Sequence, residues 1–431
     1  MAYRKRLERD LDRWIEKGLV PADNRAAILA DIAPAAPRWN AAGAAAILGA
    51  VLLAFAAISF VAANWAELPR LARFAVIIGA LWASLGGAAF AFARNNTAIG
   101  HALALLGAAL FGAAIALTAQ TFNMSAFRNT GILIWTVGAL VTAIAVPSRP
   151  VLILAALLGG FWAALESNNP LVPGVAWGYV PVWIATLAAA IRLESKVAIH
   201  LLAAAAIVWT GWTVYETTES TLEFLQRNAV YTLIAAAAAM VFALLKDRGV
   251  LGAGILSAWF AVFALVAGFG LQSPEFLDDR EAETSAFYLT LTAAPLAVFL
   301  GVTLLRLATG KIGKASAGAY ALAGLAALIM PIAFAAAEDG WAFGLELLAG
   351  AAVYGLACAL IFAGAGPGRG AIGVIGVVLF VAQTLYVYGR LFGDLLNTAV
   401  FFFVGGLVLF GVSMLLARVS RRLAAEGEAR S

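Results

Sequence analysis

The sequence has little charge, one cysteine and two histidines. Asp, Glu, Lys and Arg make up 12% of its 431 residues, against roughly 25% in soluble domains. A water-exposed surface would need about twice that share, so a soluble multidomain reading fails. The chain has a single cysteine, Cys358, inside an apolar run, and one cysteine cannot form an intramolecular disulfide. The two histidines, His101 and His200, belong to no HExxH motif and to no Cys/His zinc spacing. Neither a metal nor a cofactor is expected, and no nucleic-acid partner. The glycine-rich stretch 364–370 (GAGPGRG) lacks the Gly-Lys-Ser/Thr ending of a phosphate loop and reads as a turn. Period-2 alternation is also missing, which excludes a transmembrane barrel.

What the chain has instead is long apolar runs. Residues 43–63 carry no charge over 21 positions, about the ~20 residues that cross ~30 Å of hydrocarbon. In lipid the backbone must satisfy its own hydrogen bonds, so such runs form helices. Fourteen segments of this kind follow one another: about 43–63, 73–93, 99–119, 131–146, 150–166, 176–191, 197–214, 229–245, 250–271, 286–305, 315–337, 342–363, 371–388 and 397–417. The fourth to sixth are short for a full crossing, so the count is fourteen within two, and one segment could be re-entrant. Short loops make sequence neighbours antiparallel neighbours. The expected fold is an all-α polytopic membrane protein, a transmembrane bundle over 43–417. Ahead of it, residues 1–38 read as a cytoplasmic amphipathic helical hairpin. Leu7, Leu11, Trp14 and Ile15 recur at helical spacing, Gly18 is placed as a stop, and Pro21 opens a second short helix. Residues 418–431 form a basic cytoplasmic tail. The charged N-terminal stretch precedes any apolar run, so no cleavable signal peptide is expected.

The basic residues alternate with the segments. With the N-terminus inside, only Arg70, Arg73, Arg128, Arg227, Arg280 and Arg390 of the 28 Lys and Arg fall outside, and no lysine does. This is the positive-inside bias. A missing or extra span would scramble it from that point onward, so an even count and two cytoplasmic termini are expected together. The loops 215–228 and 272–285 are acidic instead. They read as solvated loops, or as a mouth that collects cations.

Asn64-Trp65 with Pro69 and Arg73, then Ala119-Gln120-Thr121-Phe122-Asn123 after the third segment, resemble a known pattern. So does Leu11-x-x-Trp14-x-x-x-Gly18-Leu19-Val20 in the N-terminal stretch. Together they are similar to the bacterial predicted membrane protein family termed domain of unknown function 2157. The similarity covers about residues 7–150; the stretch Tyr386-x-Tyr388 to Leu391 and Thr398 is loosely similar to the tails of related multi-span proteins. The resemblance implies a multi-pass protein of the bacterial inner (cytoplasmic) membrane. It brings no reaction with it, because the family's activity is not established.

Polar residues at segment ends are the site candidates. Asn64, Trp65 and Pro69 form a helix-break motif, in which tryptophan suits the interface and Pro69 prepares the next helix. Arg73 lies one turn into the second segment, with Glu67 as a candidate partner. Gln120, Asn123 and Arg128 follow the third segment, and Glu166 ends the fifth. Gln383, Tyr386, Arg390 and Asp394 lie around the end of the thirteenth. Glu346 lies inside the twelfth and is the strongest candidate, because an ionisable group at membrane depth usually faces a bundle interior or a wet cavity. Either these groups are interfacial and reach water or one another, or they line a cavity for a substrate or proton. His101 and His200 read as interfacial residues. Gly86-Gly87, Gly107, Gly112, Gly405-Gly406 and Gly411 read as sites of close helix packing.

Three functions are consistent with this. The first is transport of a small molecule, an ion or a lipid-linked group, as in flippase-like proteins. The second is a non-catalytic membrane scaffold or sensor with a protein partner at the N-terminal hairpin. The third is a membrane-embedded transferase, which the lack of a long outer loop and of a metal set disfavours. The lipid bilayer is a partner in all three.

Overall fold

The computed structural model describes residues 2–31, 41–63, 69–123, 129–272, 286–336, 341–364, 370–391, 406 and 410. All regular structure among them is helical. The chain forms two compact units, Met1–Ser125 with Val141–Val151 and Ala126–Leu140 with Leu152–Ser431.

The first unit holds α1 (Ala2–Glu16), α2 (Asn24–Asp31), α3 (Ala41–Ala63), α4 (Arg70–Ala93) and α5 (Thr97–Thr121). Gly18 stops α1 with a φ of 68°. The Gly18 N–H donates to Ile15 O at 3.0 Å and the Leu19 N–H to Trp14 O at 2.9 Å, the paired bonds of a Schellman cap. Arg25 bonds Asp12 at 2.8 Å and ties α2 to α1. Pro69 sits at the N-cap of α4, and its carbonyl accepts from the Arg73 N–H at 3.1 Å. α4 and α5 pack through small residues. A Cβ at Gly107 would lie 2.7 Å from Leu85, and one at Gly100 2.7 Å from the Phe92 ring. Ser84 Oγ adds a bond to Leu103 O at 2.7 Å. Small residues at helix contacts replace the hydrophobic drive that lipid removes.

The chain passes between the units within α6 (Thr130–Ala145) and at the start of α7 (Arg149–Ser167). The second unit continues with α8 (Tyr179–Arg192), α9 (Lys196–Thr218), α10 (Phe224–Asp247) and α11 (Ala253–Phe269), which runs into a 3₁₀ turn, Gly270–Gln272. Then come α12 (Ala286–Ala308), α13 (Lys314–Ala336), α14 (Ala342–Gly364) and α15 (Gly370–Leu391). The alanine-rich α10 is its centre and packs against α9, α11, α12 and α13. Leu225, Leu233, Tyr288 and Phe334 are buried around it. Polar side chains tie neighbouring helices by bonding to their backbone carbonyls. Trp183 Nε1 reaches Leu202 O at 2.9 Å, Asn228 Nδ2 reaches Ala267 O at 2.8 Å, and the Tyr288 hydroxyl reaches Leu328 O at 2.9 Å. α14 and α15 come closest. A Cβ at Gly376 would lie 2.8 Å from Ala357 O, and Gly364 faces Gly373 backbone to backbone.

Ten helices among the described residues, α4, α5, α7 and α9 to α15, are long and apolar enough to cross a membrane. α3 has 23 residues without a charge. The fourth and sixth sequence segments form the shorter helices α6 and α8. The fifth differs from expectation: α7 begins at Arg149 and reaches 19 residues, a crossing length. Its boundary was hidden because Arg149 and Ser167 are polar letters that still continue the helix. The fourteenth segment, 397–417, lies outside the described residues apart from Gly406 and Phe410.

The ends of α4, α8, α10 and α12 share one design. Each closes with a residue of positive φ, in turn Asn95, Glu194, Gly249 and Gly310. The N–H that follows it donates back to a carbonyl five residues earlier: Asn96 to Ala91, Ser195 to Ala190, Val250 to Leu245 and Lys311 to Arg306. Arg94, Arg192, Arg248 and Arg306 stand at or near these ends, where a cation is favoured by the helix dipole. α6 carries Pro147 at the corresponding place and keeps only the outer bond, Ser148 to Ala143.

Candidate functional site

The sequence candidates among the described residues are divided between the two units. Asn64, Trp65, Arg128 and Asp394 lie outside the described residues, and so does the side chain of Arg390 at the end of α15. In the first unit, Arg73 is half-buried on the first turn of α4, while Gln120 and Asn123 are exposed at the end of α5. Asn123 takes a φ of 48° in the turn that leaves the helix.

In the second unit, two candidates are drawn inward. Gln383 on α15 is wholly buried and faces Gln272 at the end of α11. Gln272 Nε2 donates to Gln383 Oε1 at 2.9 Å, and Gln383 Nε2 returns a bond to Gln272 Oε1 at 2.8 Å. The Gly350 carbonyl of α14 receives a longer bond from Gln383, and a side chain at Gly350 would press on that amide. Glu346 stands one turn before Gly350 on the same face of α14 and is half-buried. Tyr386 stands near one turn after Gln383, with its ring 5.4 Å from Phe269. This is a closed polar joint between α11, α14 and α15. Buried amides this well matched hold helices together.

Glu166, 5% exposed at the end of α7, has a separate partner. The backbone N–H and the side-chain amide of Asn129 both donate to its Oε2, at 3.0 and 3.1 Å. Asn129 stands just ahead of α6, so the pair joins α6 to the far end of α7.

Beside Glu166 lies a feature that the sequence reading missed. Between α7 and α9 runs a groove of about 320 Å³. Ala156, Gly160, Ala164, Leu201, Ala204 and Val208 line its length, and Ser167, Asn168, Trp209 and Trp212 line the end where both helices finish. Its form follows from the sequence. The α7 face sets Ala156, Gly160, Ala163 and Ala164 beside the larger Leu157 and Phe161; a Cβ at Gly160 would lie 3.1 Å from Ala205. The α9 face changes from alanine to tryptophan at the groove's end. Trp209 is held edge-on to Trp177 at 5.7 Å and against Tyr179 at 5.9 Å. The indole nitrogens of Trp209 and Trp212 are buried and make no hydrogen bond among the described residues.

The aromatic row continues past the groove. Trp212 stands 6.1 Å from Tyr215, whose hydroxyl donates to Glu219 at 2.6 Å. The Arg227 guanidinium at the start of α10 lies 5.2 Å above the Tyr215 ring. Its Nε and Nη1 are buried and make no hydrogen bond among the described residues. A buried donor without an acceptor is costly; two such nitrogens, on Trp209 and Trp212, lie at one end of the groove, and two more, on Arg227, lie past it beside Tyr215. The signal was present in the sequence as Trp209, Trp212 and Tyr215 at steps of three. Without the position of α7, that row reads as an ordinary interfacial belt.

Two further pairs belong to the packing of this unit. Arg306 bonds Asp247 at 2.8 Å, largely shielded, and joins α12 to α10. Trp259 Nε1 donates to His200 Nδ1 at 2.9 Å and joins α11 to α9. Among the described residues no group of His, Cys, Asp and Glu could hold a metal ion.

Many crossing-length apolar helices, with backbone groups satisfied internally, define a multi-pass integral membrane protein. Residues 12–152 match the model of a predicted membrane protein family, domain of unknown function 2157. That match covers nearly all of the stretch, about residues 7–150, on which the sequence resemblance rests. No curated protein and no solved structure matches the chain.

Proposed function

We propose that this chain handles a lipid or lipid-linked group, as a transporter or flippase-like protein of the bacterial inner (cytoplasmic) membrane. The observation that carries this reading is the α7–α9 groove, which is apolar along its length and holds the two unpaired indole donors of Trp209 and Trp212 at one end. From Leu201 to Trp212 it runs about 16 Å along α9, roughly half of a ~30 Å hydrocarbon core. That is the depth of one leaflet. Its volume of about 320 Å³ takes roughly ten groups of water or methylene size at ~30 Å³ each. One acyl chain fits this space better than a hydrated ion or sugar does. In the proposed arrangement, fourteen spans cross the membrane and both termini are cytoplasmic. The alternation of Lys and Arg and the repeated caps at Asn95, Glu194, Gly249 and Gly310 support it, and it places the tryptophan end of the groove in the outer leaflet.

The test is lipid movement in proteoliposomes. A fluorescent phospholipid spread over both leaflets is bleached from outside by an impermeant reductant. The expected result is bleaching beyond the outer-leaflet share with the wild-type protein, and not with Ala204→Trp, which fills the groove. Equal bleaching in wild-type, Ala204→Trp and protein-free vesicles overturns the reading.

A second reading is supported by the N-terminal helices. Leu11 is fully buried, while Trp14 and Leu19 remain exposed, Leu19 at 69%. An exposed apolar edge on a charged helix pair suits a protein partner of a scaffold or sensor. Removal of residues 1–38 with the bundle intact and a partner lost would favour it.

A further inference from the structure

Taking the α7–α9 groove as a lipid site, we infer that the headgroup it selects is zwitterionic, a phosphate joined to an amine. The inference rests on that reading and adds the chemistry at the groove's end. Two kinds of group stand at that end and past it, along the row Trp209, Trp212, Tyr215 and Arg227. The donors are the indole N–H of Trp209 and of Trp212 and the Arg227 guanidinium, which holds two unpaired nitrogens beside the Tyr215 ring. The acceptors are carboxylates. Glu219 is exposed and held by the Tyr215 hydroxyl, Glu216 stands one residue past Tyr215 on α9, and Glu223 stands at the N-cap position of α10, one turn before Arg227. The segment 209–227 thus holds one cation and three carboxylates.

Each simple headgroup fails one half of this set. An anionic headgroup meets an excess of negative charge. A cationic one leaves the guanidinium and the indole N–H groups without an acceptor. A bare diglyceride has no group for the carboxylates. A phosphate with an ammonium beside it answers both halves. The phosphate oxygens accept from Trp212 and Arg227 as charge-assisted bonds. The ammonium turns to Glu219 and to the aromatic faces of Tyr215 and Trp212, whose ring quadrupole attracts cations. The acyl chain then lies along Val208, Ala204 and Leu201, in the direction the groove runs.

The experiment uses the full-length protein, delipidated in detergent and mixed with equal amounts of dioleoyl phosphatidylethanolamine, dioleoyl phosphatidylglycerol and dioleoylglycerol. Native mass spectrometry reads the lipid retained. The expected result is retention of the ethanolamine lipid over the other two. Glu219→Gln and Trp212→Phe each lower that preference by about three- to fivefold at unchanged melting temperature, and Ala204→Trp removes all three lipids. Equal retention of the ethanolamine and glycerol phospholipids, with Ala204→Trp still releasing them, overturns the headgroup inference and leaves the lipid site standing. Retention unaffected by Ala204→Trp overturns both.

Discussion

Gln383 and Gln272 stand 111 residues apart, and each amide completes the other in a site that water does not reach. Replacing one strands its partner. Gln383→Leu is expected to cost about 1–2 kcal/mol, the cost of an unpaired buried amide, and Gln272→Leu about the same. The double substitution restores an apolar match and costs less than the two singles added together. Thermal unfolding in detergent measures all three, and strict additivity would contradict the pairing. The Arg306–Asp247 contact, at side-chain exposures of 15% and 18%, makes a parallel case. Asp247→Asn is expected to cost about 1–2 kcal/mol, with little dependence on salt, since a shielded pair is weakly screened. At this scale the sequence was half legible. Gln383 and Glu166 stood out as polar letters beside apolar runs. Their partners Gln272 and Asn129 did not, because both occupy loop-like positions where any polar residue is ordinary. Pairing across such separations is set by packing, which a single chain's letters do not spell out.

The helices themselves were the most legible level. An uncharged run of crossing length in a medium without water has few options besides a helix. Their ends were less so, because a cap depends on one residue's φ rather than on hydropathy. The positive φ of Glu194 is such a case. A non-glycine residue there is strained, so Glu194→Gly is expected to stabilise the protein by up to about 1 kcal/mol, read as a higher melting temperature; a lower one would show that the Glu194 side chain does more than fill the turn. The α14–α15 contact gives the opposite sign. At Gly376 a side chain would run into Ala357 O and Ile361 N. Gly376→Leu must then push the two backbones apart, with an expected loss of about 1–3 kcal/mol. The same substitution at Gly318, where nothing lies within 4 Å of a built Cβ, is expected to change stability far less. Comparable losses at both positions would contradict the close contact.

For the whole molecule, the distribution of Lys and Arg makes a statement that any one loop cannot. It implies that Ser220 faces out and Thr309 faces in, and both are exposed. In a Cys358→Ala background, Ser220→Cys is expected to react with an impermeant maleimide on intact cells, and Thr309→Cys only after permeabilisation. The reverse pattern would invert the topology and move the tryptophan end of the groove to the inner leaflet. The groove itself was not legible in the sequence. It arises where the face of α7 that carries Ala156, Gly160 and Phe161 meets the face of α9 that carries Leu201, Ala204, Val208 and Trp212, and either face alone reads as packing. The central claim is that a lipid occupies it. The most direct measurement is a cryo-electron microscopy map of the full-length protein in nanodiscs of phosphatidylethanolamine and phosphatidylglycerol. The account predicts a continuous tube of density from Leu201 to Trp212, ending in a headgroup between Trp212 and Arg227. A groove closed by side chains, or filled only by the same diffuse density that surrounds every other helix, would contradict it.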